Sequence, residues 1–193
     1  PDSMTPGSDP ESLTNPSSPR TFMFIAGETS GDLLAAELVE AIRARCQPST
    51  PASSGASLPI FIGAGGPTMA AAGVQLAFDL TQHAVIGLGF LTNLVNLRRL
   101  MGALVRLALE RQPDVIVCVD YSGFNRRLGE AIRRRQREAP GWHPVIVQFV
   151  SPQVWASRPG RAARMARDFD LLLSIFPFEK AWYAEHAPAM RVE

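Results

Sequence analysis

The chain is predicted to fold as α/β, with a doubly wound and mostly parallel sheet, and three observations predict it. First, Val115-Ile116-Val117-Cys118-Val119 and Val145-Ile146-Val147, with Phe149 and Val150, are apolar without alternation. Strands of that kind are buried on both faces by helices. Second, strand-like and helix-like stretches alternate along the chain, which is the order of a doubly wound sheet. Third, two glycine-bearing turns, Gly27–Asp32 and Gly63–Met69, follow apolar runs directly and open helical patterns. In open α/β sheets the loops at the carboxyl ends of strands line the ligand crevice.

The elements follow in order. Residues 1–20 hold five prolines and five serines and almost nothing to bury, so they are predicted to be a disordered leader. The run Phe22-Met23-Phe24-Ile25-Ala26 gives a strand over 21–26. Leu34, Leu38 and Ile42 fall at helical spacing and give a helix over 31–45. Gln47 to Ser57 is polar and reads as a flexible loop. Strands are predicted at 59–62 and 74–78, with a short helix at 67–72 whose first turn suits Pro67. A long helix over 88–110 precedes the buried strand 114–119. A helix over 124–138, a strand over 144–149, a helix over 159–167, a strand over 170–175 and a helix over 178–186 complete the pattern. Met190 to Glu193 resembles the start of a further strand, so the chain is expected to be one half of a longer protein.

Bulk properties narrow the function. A net charge of +1 and a sequence pI near 8.4 give no general attraction to nucleic acid. Cys46 and Cys118 lack metal spacing and make no disulfide framework, which fits a reducing compartment. His83, His143 and His186 are scattered, so neither a metal nor another cofactor is expected. No secretory signal is visible. No run of about 18 apolar residues is present to span a membrane.

Four segments carry candidate chemistry. In the first, Glu28 sits at a strand's carboxyl end between Gly27 and Thr29 and is read as a ligand or catalytic group. Asp32 is either a ligand or a cap of the helix that follows it. In the second, Gly63, Gly65 and Gly66 let backbone approach a ligand, and amides at the helix start favour anions. This turn matches neither the dinucleotide fingerprint nor a Walker loop. In the third, Asp120 follows the buried strand and is placed to act as a general base; Ser122 or Asn125 can cap the helix after it. In the fourth, Ser151-Pro152 and Trp155 offer a stacking or acyl-contacting surface, or else Trp155 pins a loop. The run Val85 to Leu107 and the arginines at 126, 127, 133, 134, 135 and 137 are read as a core helix and a solvated face, or as a footprint on an anionic membrane.

Taken together, Phe24-Ile25-Ala26-Gly27-Glu28-Thr29-Ser30-Gly31-Asp32, Gly63-x-Gly-Gly-Pro-x-Met69, Asp120-Tyr-x-Gly-Phe-Asn125, Val150-Ser-Pro-x-Val-Trp-Ala156 and Phe176-Pro-Phe-Glu-Lys180 resemble the lipid-A-disaccharide synthase family, in order and spacing, from about residue 21 onward. The resemblance implies an inverting glycosyltransferase built from two Rossmann-like domains facing a cleft, the GT-B arrangement. Residues 21–193 would be the N-terminal, acceptor-side domain, without the nucleotide-sugar half and inactive by itself. The implied reaction transfers 2,3-diacylglucosamine from UDP-2,3-diacylglucosamine to 2,3-diacylglucosamine 1-phosphate, giving a β-1,6 disaccharide 1-phosphate and UDP. The implied place is the cytoplasm, peripheral on the inner membrane of Gram-negative bacteria and held there through 85–107. Glu28 and Asp120 map onto the family's functional acids. Thr29, Ser30, Gly31, Asp32, Gly63, Gly65, Gly66, Asn125, Ser151, Pro152 and Trp155 are expected to contact substrate. Ser122 stands where the family usually has proline, and Ser157 where a second tryptophan commonly follows Trp155-Ala156. The competing class is a non-catalytic α/β module that holds an anionic lipid or nucleotide at the Gly63–Gly66 turn.

Overall fold

The computed structural model describes residues 19–47, 57–80, 94–138, 141–157 and 159–193. The predicted leader (through residue 18), most of the 47–57 loop and the 81–93 stretch lie outside the described residues. Six strands form one sheet, all parallel: β1 (Thr21–Ala26), β2 (Ile60–Gly65), β3 (Gln75–Asp79), β4 (Val115–Val119), β5 (Val145–Phe149) and β6 (Leu171–Leu173). The helices are α1 (Thr29–Cys46), α2 (Pro67–Ala71), α3 (Leu94–Arg111), α4 (Ser122–Glu138), α5 (Val154–Ser157), α6 (Ala162–Asp168) and α7 (Pro177–His186), with a 3-10 turn at Pro159–Arg161. The α/β, Rossmann-like reading holds throughout.

The strand order is β3-β2-β1-β4-β5-β6. The chain builds outward from β1 to β3, then returns to the other side of β1 with β4. The order therefore reverses between β1 and β4, and a crevice opens there at the carboxyl edge.

Alternate residues of the central strands feed two cores, as the two-residue pleat requires. Met23, Ile25, Ile116 and Cys118 pack on one face with Leu104 and Ala108 of α3 and Leu128 and Ile132 of α4. Phe24, Ala26, Val117 and Val119 pack on the other with Ala35, Ala36 and Val39 of α1 and Met69 of α2. Uninterrupted apolar runs were the signal for this, and burial on both faces is the reason for it.

Predicted and observed boundaries differ where the loops begin. α1 starts at Thr29 rather than 31, because Glu28 is extended (φ −137°, ψ 160°) and the helix turns at once after it. α4 starts at Ser122 rather than 124. β6 is shorter than 170–175, and its outer edge meets the chain end through the parallel bridge Leu172–Val192. The four-residue α5 was not foreseen.

Within α3, Leu104 and Ala108 are fully buried, and Leu97, Leu100 and Met101 pack against the same core. From Leu97 to Ala108, then, the apolar stripe faces protein, whereas Val95 is exposed. Residues 85–93 of the 85–107 membrane segment lie outside the described residues. Among the described residues no helix is long and apolar enough to cross a membrane.

Candidate functional site

The loops after β1 and β4 meet at the switch point. A side chain on Gly27 would lie 3.5 Å from the Tyr121 ring, and one on Gly31 would lie 3.7 Å from Cβ of Asp120. Both distances are ordinary van der Waals contact, so the two loops are immediate neighbours. Ser30 Oγ donates to Asp120 Oδ2 across a long 3.5 Å. Glu28, Thr29 and Ser30 are exposed, Asp120 is half-buried and Gly31 is buried. The loop that carries Glu28, Thr29 and Ser30 and the loop that carries Asp120 are therefore adjacent, and Ser30 and Asp120 meet across them.

Asp120 has a left-handed backbone, φ 51°, as does Tyr121 at φ 34°; after β5, Val150 has φ 69°. Such conformations cost about 1–2 kcal/mol per residue, and a β-branched valine resists them most. They are held by polar contacts. The Asp120 N–H donates to the Phe149 carbonyl at 2.9 Å. The Asp120 carbonyl accepts from the side-chain amides of Asn125 and of Gln148, the latter at 3.1 Å. Gln148 Nε2 also reaches the carbonyls of Val150 at 3.1 Å and Phe149 at 3.3 Å. Asn125 and Gln148 are each 1% exposed. Asn125, expected to bind substrate, thus has its amide engaged with the backbone of Asp120. Gln148 went unremarked in the sequence; its one signal is an amide inside an otherwise apolar strand.

Asp32 is 1% exposed, and its carboxylate faces the second loop. Oδ1 accepts from the N–H groups of Gly66 at 2.7 Å and Met69 at 3.1 Å, and Oδ2 from that of Thr68 at 2.9 Å. It is a cap, but for α2 and not for its own helix. The amides that the sequence offered to an anion are occupied by this internal carboxylate. Gly63 and Gly65 lie inside β2, both buried. A side chain at 63 would sit 2.0 Å from the Phe24 carbonyl oxygen, and one at 65 would sit 2.2 Å from the Met69 sulfur. Their lack of side chains makes room for protein. The turn on which the binding-module alternative depends is therefore filled from within.

The loop after β5 is pinned to α7. Ser151 Oγ lies 3.3 Å from the Tyr183 hydroxyl. Burial, more than the Ser151 hydrogen bond offsets, pushes the Tyr183 phenol above its usual pKa. The Trp155 indole N–H donates to Glu179 Oε1 at 3.0 Å, and its ring meets Phe178 edge-on at 5.1 Å. Glu179, fully buried, also accepts from Ser174 Oγ. Pro152 borders a small, solvent-open pocket, lined also by Ser122, Gly123, Arg126 and Gln148, between the start of α4 and α6. In the fourth segment Pro152 thus shares a pocket lining with Ser122 and with Gln148 of β5, while Ser151 and Trp155 are tied to α7. Among the described residues no three His, Cys, Asp or Glu converge as a metal site would require. Cys118 is buried, and desolvation pushes its thiol up to about 12.

Residues 22–192 match the lipid-A-disaccharide synthetase family. The chain is 38% identical to the lipid-A-disaccharide synthase of Myxococcus xanthus over 180 residues, 93% of this chain and 42% of that protein. It is 40% identical to the synthase of Chromohalobacter salexigens over 84% of this chain and 38% of that protein. It is 34% identical to the synthase of Rhodospirillum centenum over 86% of this chain and 38% of that protein. The chain thus spans about two fifths of the length of these relatives, and the five motifs fall inside the matched region. With this match and this sheet, the chain belongs to the lipid-A-disaccharide synthetase family.

Proposed function

We propose that residues 21–193 form the N-terminal, acceptor-side domain of an inverting glycosyltransferase. The full protein would transfer 2,3-diacylglucosamine from UDP-2,3-diacylglucosamine to the 6-hydroxyl of 2,3-diacylglucosamine 1-phosphate and release UDP. One observation carries this reading. In a chain of this family, the loops that bear Glu28 and Asp120 meet where the strand order reverses.

Asp120 takes the proton of the acceptor 6-hydroxyl while that oxygen attacks the anomeric carbon and the UDP oxygen leaves from the opposite face. A single displacement inverts the centre and needs one base at this position. Glu28, exposed at the head of α1, orients the acceptor or shares the proton, with the hydroxyls of Thr29 and Ser30 beside it. Pro152 and Trp155 border the substrate from the β5 side. The downstream part of the longer protein supplies the nucleotide-sugar contacts and completes the cleft. Both substrates carry acyl chains, so the protein works at the cytoplasmic face of the inner membrane.

The test is UDP release by this chain joined to its natural downstream half, with and without 2,3-diacylglucosamine 1-phosphate. Release that depends on the acceptor supports the reading. A folded protein that releases no UDP from UDP-2,3-diacylglucosamine in the presence of the acceptor overturns it.

A further inference from the structure

We infer that Gln148 is a positioning residue, whose buried amide holds the Asp120 carboxylate in its working orientation. The inference rests on the reading of Asp120 as the base. Gln148 is 1% exposed and its amide nitrogen is engaged by backbone carbonyls, so it acts on the backbone beside it. The side-chain amide has two N–H donors and three carbonyls within reach, those of Asp120, Phe149 and Val150. Asp120 and Val150 are both left-handed, at the ends of neighbouring strands. One side chain therefore ties together the two strained turns that border the crevice.

The other ties to Asp120 do not replace this one. The Asp120 N–H to Phe149 bond fixes the residue's entry into the turn, and Asn125 reaches the Asp120 carbonyl from α4. Without Gln148, nothing from β5 holds the carbonyl plane. Released from that tie, the left-handed Asp120 backbone can relax, which shifts the carboxylate relative to Ser30 Oγ, now at its long 3.5 Å. A displacement of about 1 Å in a reacting group can cost about 100-fold in rate.

The experiment uses the full-length protein, with Gln148→Met, Gln148→Glu, Asp120→Asn and the Asp120→Asn/Gln148→Met double variant. Methionine keeps the volume and removes the donors. Gln148→Met is expected to lower kcat about 10- to 100-fold with KM for both substrates within about threefold. Its far-ultraviolet circular dichroism should be unchanged. The double variant is expected to be no slower than Asp120→Asn, because the two residues act as one unit. Gln148→Glu can donate to Asp120 only when its own carboxyl is protonated. Its kcat relative to the parent should therefore rise as pH falls, a trend that Gln148→Met should lack.

A folded Gln148→Met with parental kcat overturns the inference, and so does a double variant slowed by the product of the two single effects. Near-parental turnover in Asp120→Asn instead overturns the base reading on which the inference rests. The two failures are therefore distinguishable.

Discussion

Replacing Asp32 by alanine removes the contact that binds the first loop to the second. The carboxylate accepts three backbone N–H groups, and two of those bonds, from Gly66 and Met69, are buried. The third, from Thr68, is part-buried, so water can substitute for the lost oxygen there. A buried donor left unpaired costs about 1–3 kcal/mol. Two of them give a loss of about 4 kcal/mol, to which the small cavity adds little. For a domain of this size that lowers Tm by on the order of 10 °C. Asparagine is the graded control: it keeps an oxygen at the Oδ1 position and sets an N–H against Thr68, so its loss should be about 1–2 kcal/mol. The assay is urea denaturation of parent and variants followed by tryptophan fluorescence, with KM measured on whatever protein folds. A variant Asp32→Ala within about 1 kcal/mol of the parent would refute the capping argument. A normally stable Asp32→Ala with a raised KM would return Asp32 to the substrate.

Three further outcomes are expected. Asp120→Asn should lower kcat about 100- to 10,000-fold, the range for a lost general base, with Tm within a few degrees; steady-state UDP release reads the first and calorimetry the second. Gly65→Ala should destabilise by about 1–3 kcal/mol, because the added carbon meets the flexible end of Met69. Gly63→Ala should be worse, since it meets the Phe24 backbone oxygen, and soluble yield followed by Tm ranks the two. Cys118 should resist a thiol reagent at pH 8 while exposed Cys46 reacts, giving one labelled thiol per chain natively and two after denaturation. Because the folded thiol titrates near 12 and the unfolded one near 9, its neutral form favours the fold below pH 9. Between pH 9 and 12 that contribution is lost at up to about 1.4 kcal/mol per pH unit, and the loss is read as the difference in stability between parent and Cys118→Ala.

The alternation of elements and the unbroken apolar strands determined the parallel sheet, and five of the six predicted strands lie within a residue or two of those observed, β2 running on through Gly63–Gly65. The local pattern also marked the loops that hold Glu28 and Asp120, because strand-to-helix turns announce themselves over a few residues. What each polar side chain does was decided elsewhere. Asp32 looked like a ligand or a cap of its own helix; its partners lie 34 to 37 residues further on. Gly63 and Gly65 looked open to a ligand, but the neighbouring strand and α2 fill the space. Gln148 looked like one polar residue in a strand, and the pairing of β4 with β5 makes it the tie between two strained turns. Glu179 showed no role until α7 folded back to meet Trp155 and Ser174. Periodicity is a property of neighbours in sequence, so it specifies elements. The satisfaction of buried polar groups is a property of neighbours in space, so it waits on the strand order, and the reversal between β1 and β4 is what brings the two acidic loops to one crevice.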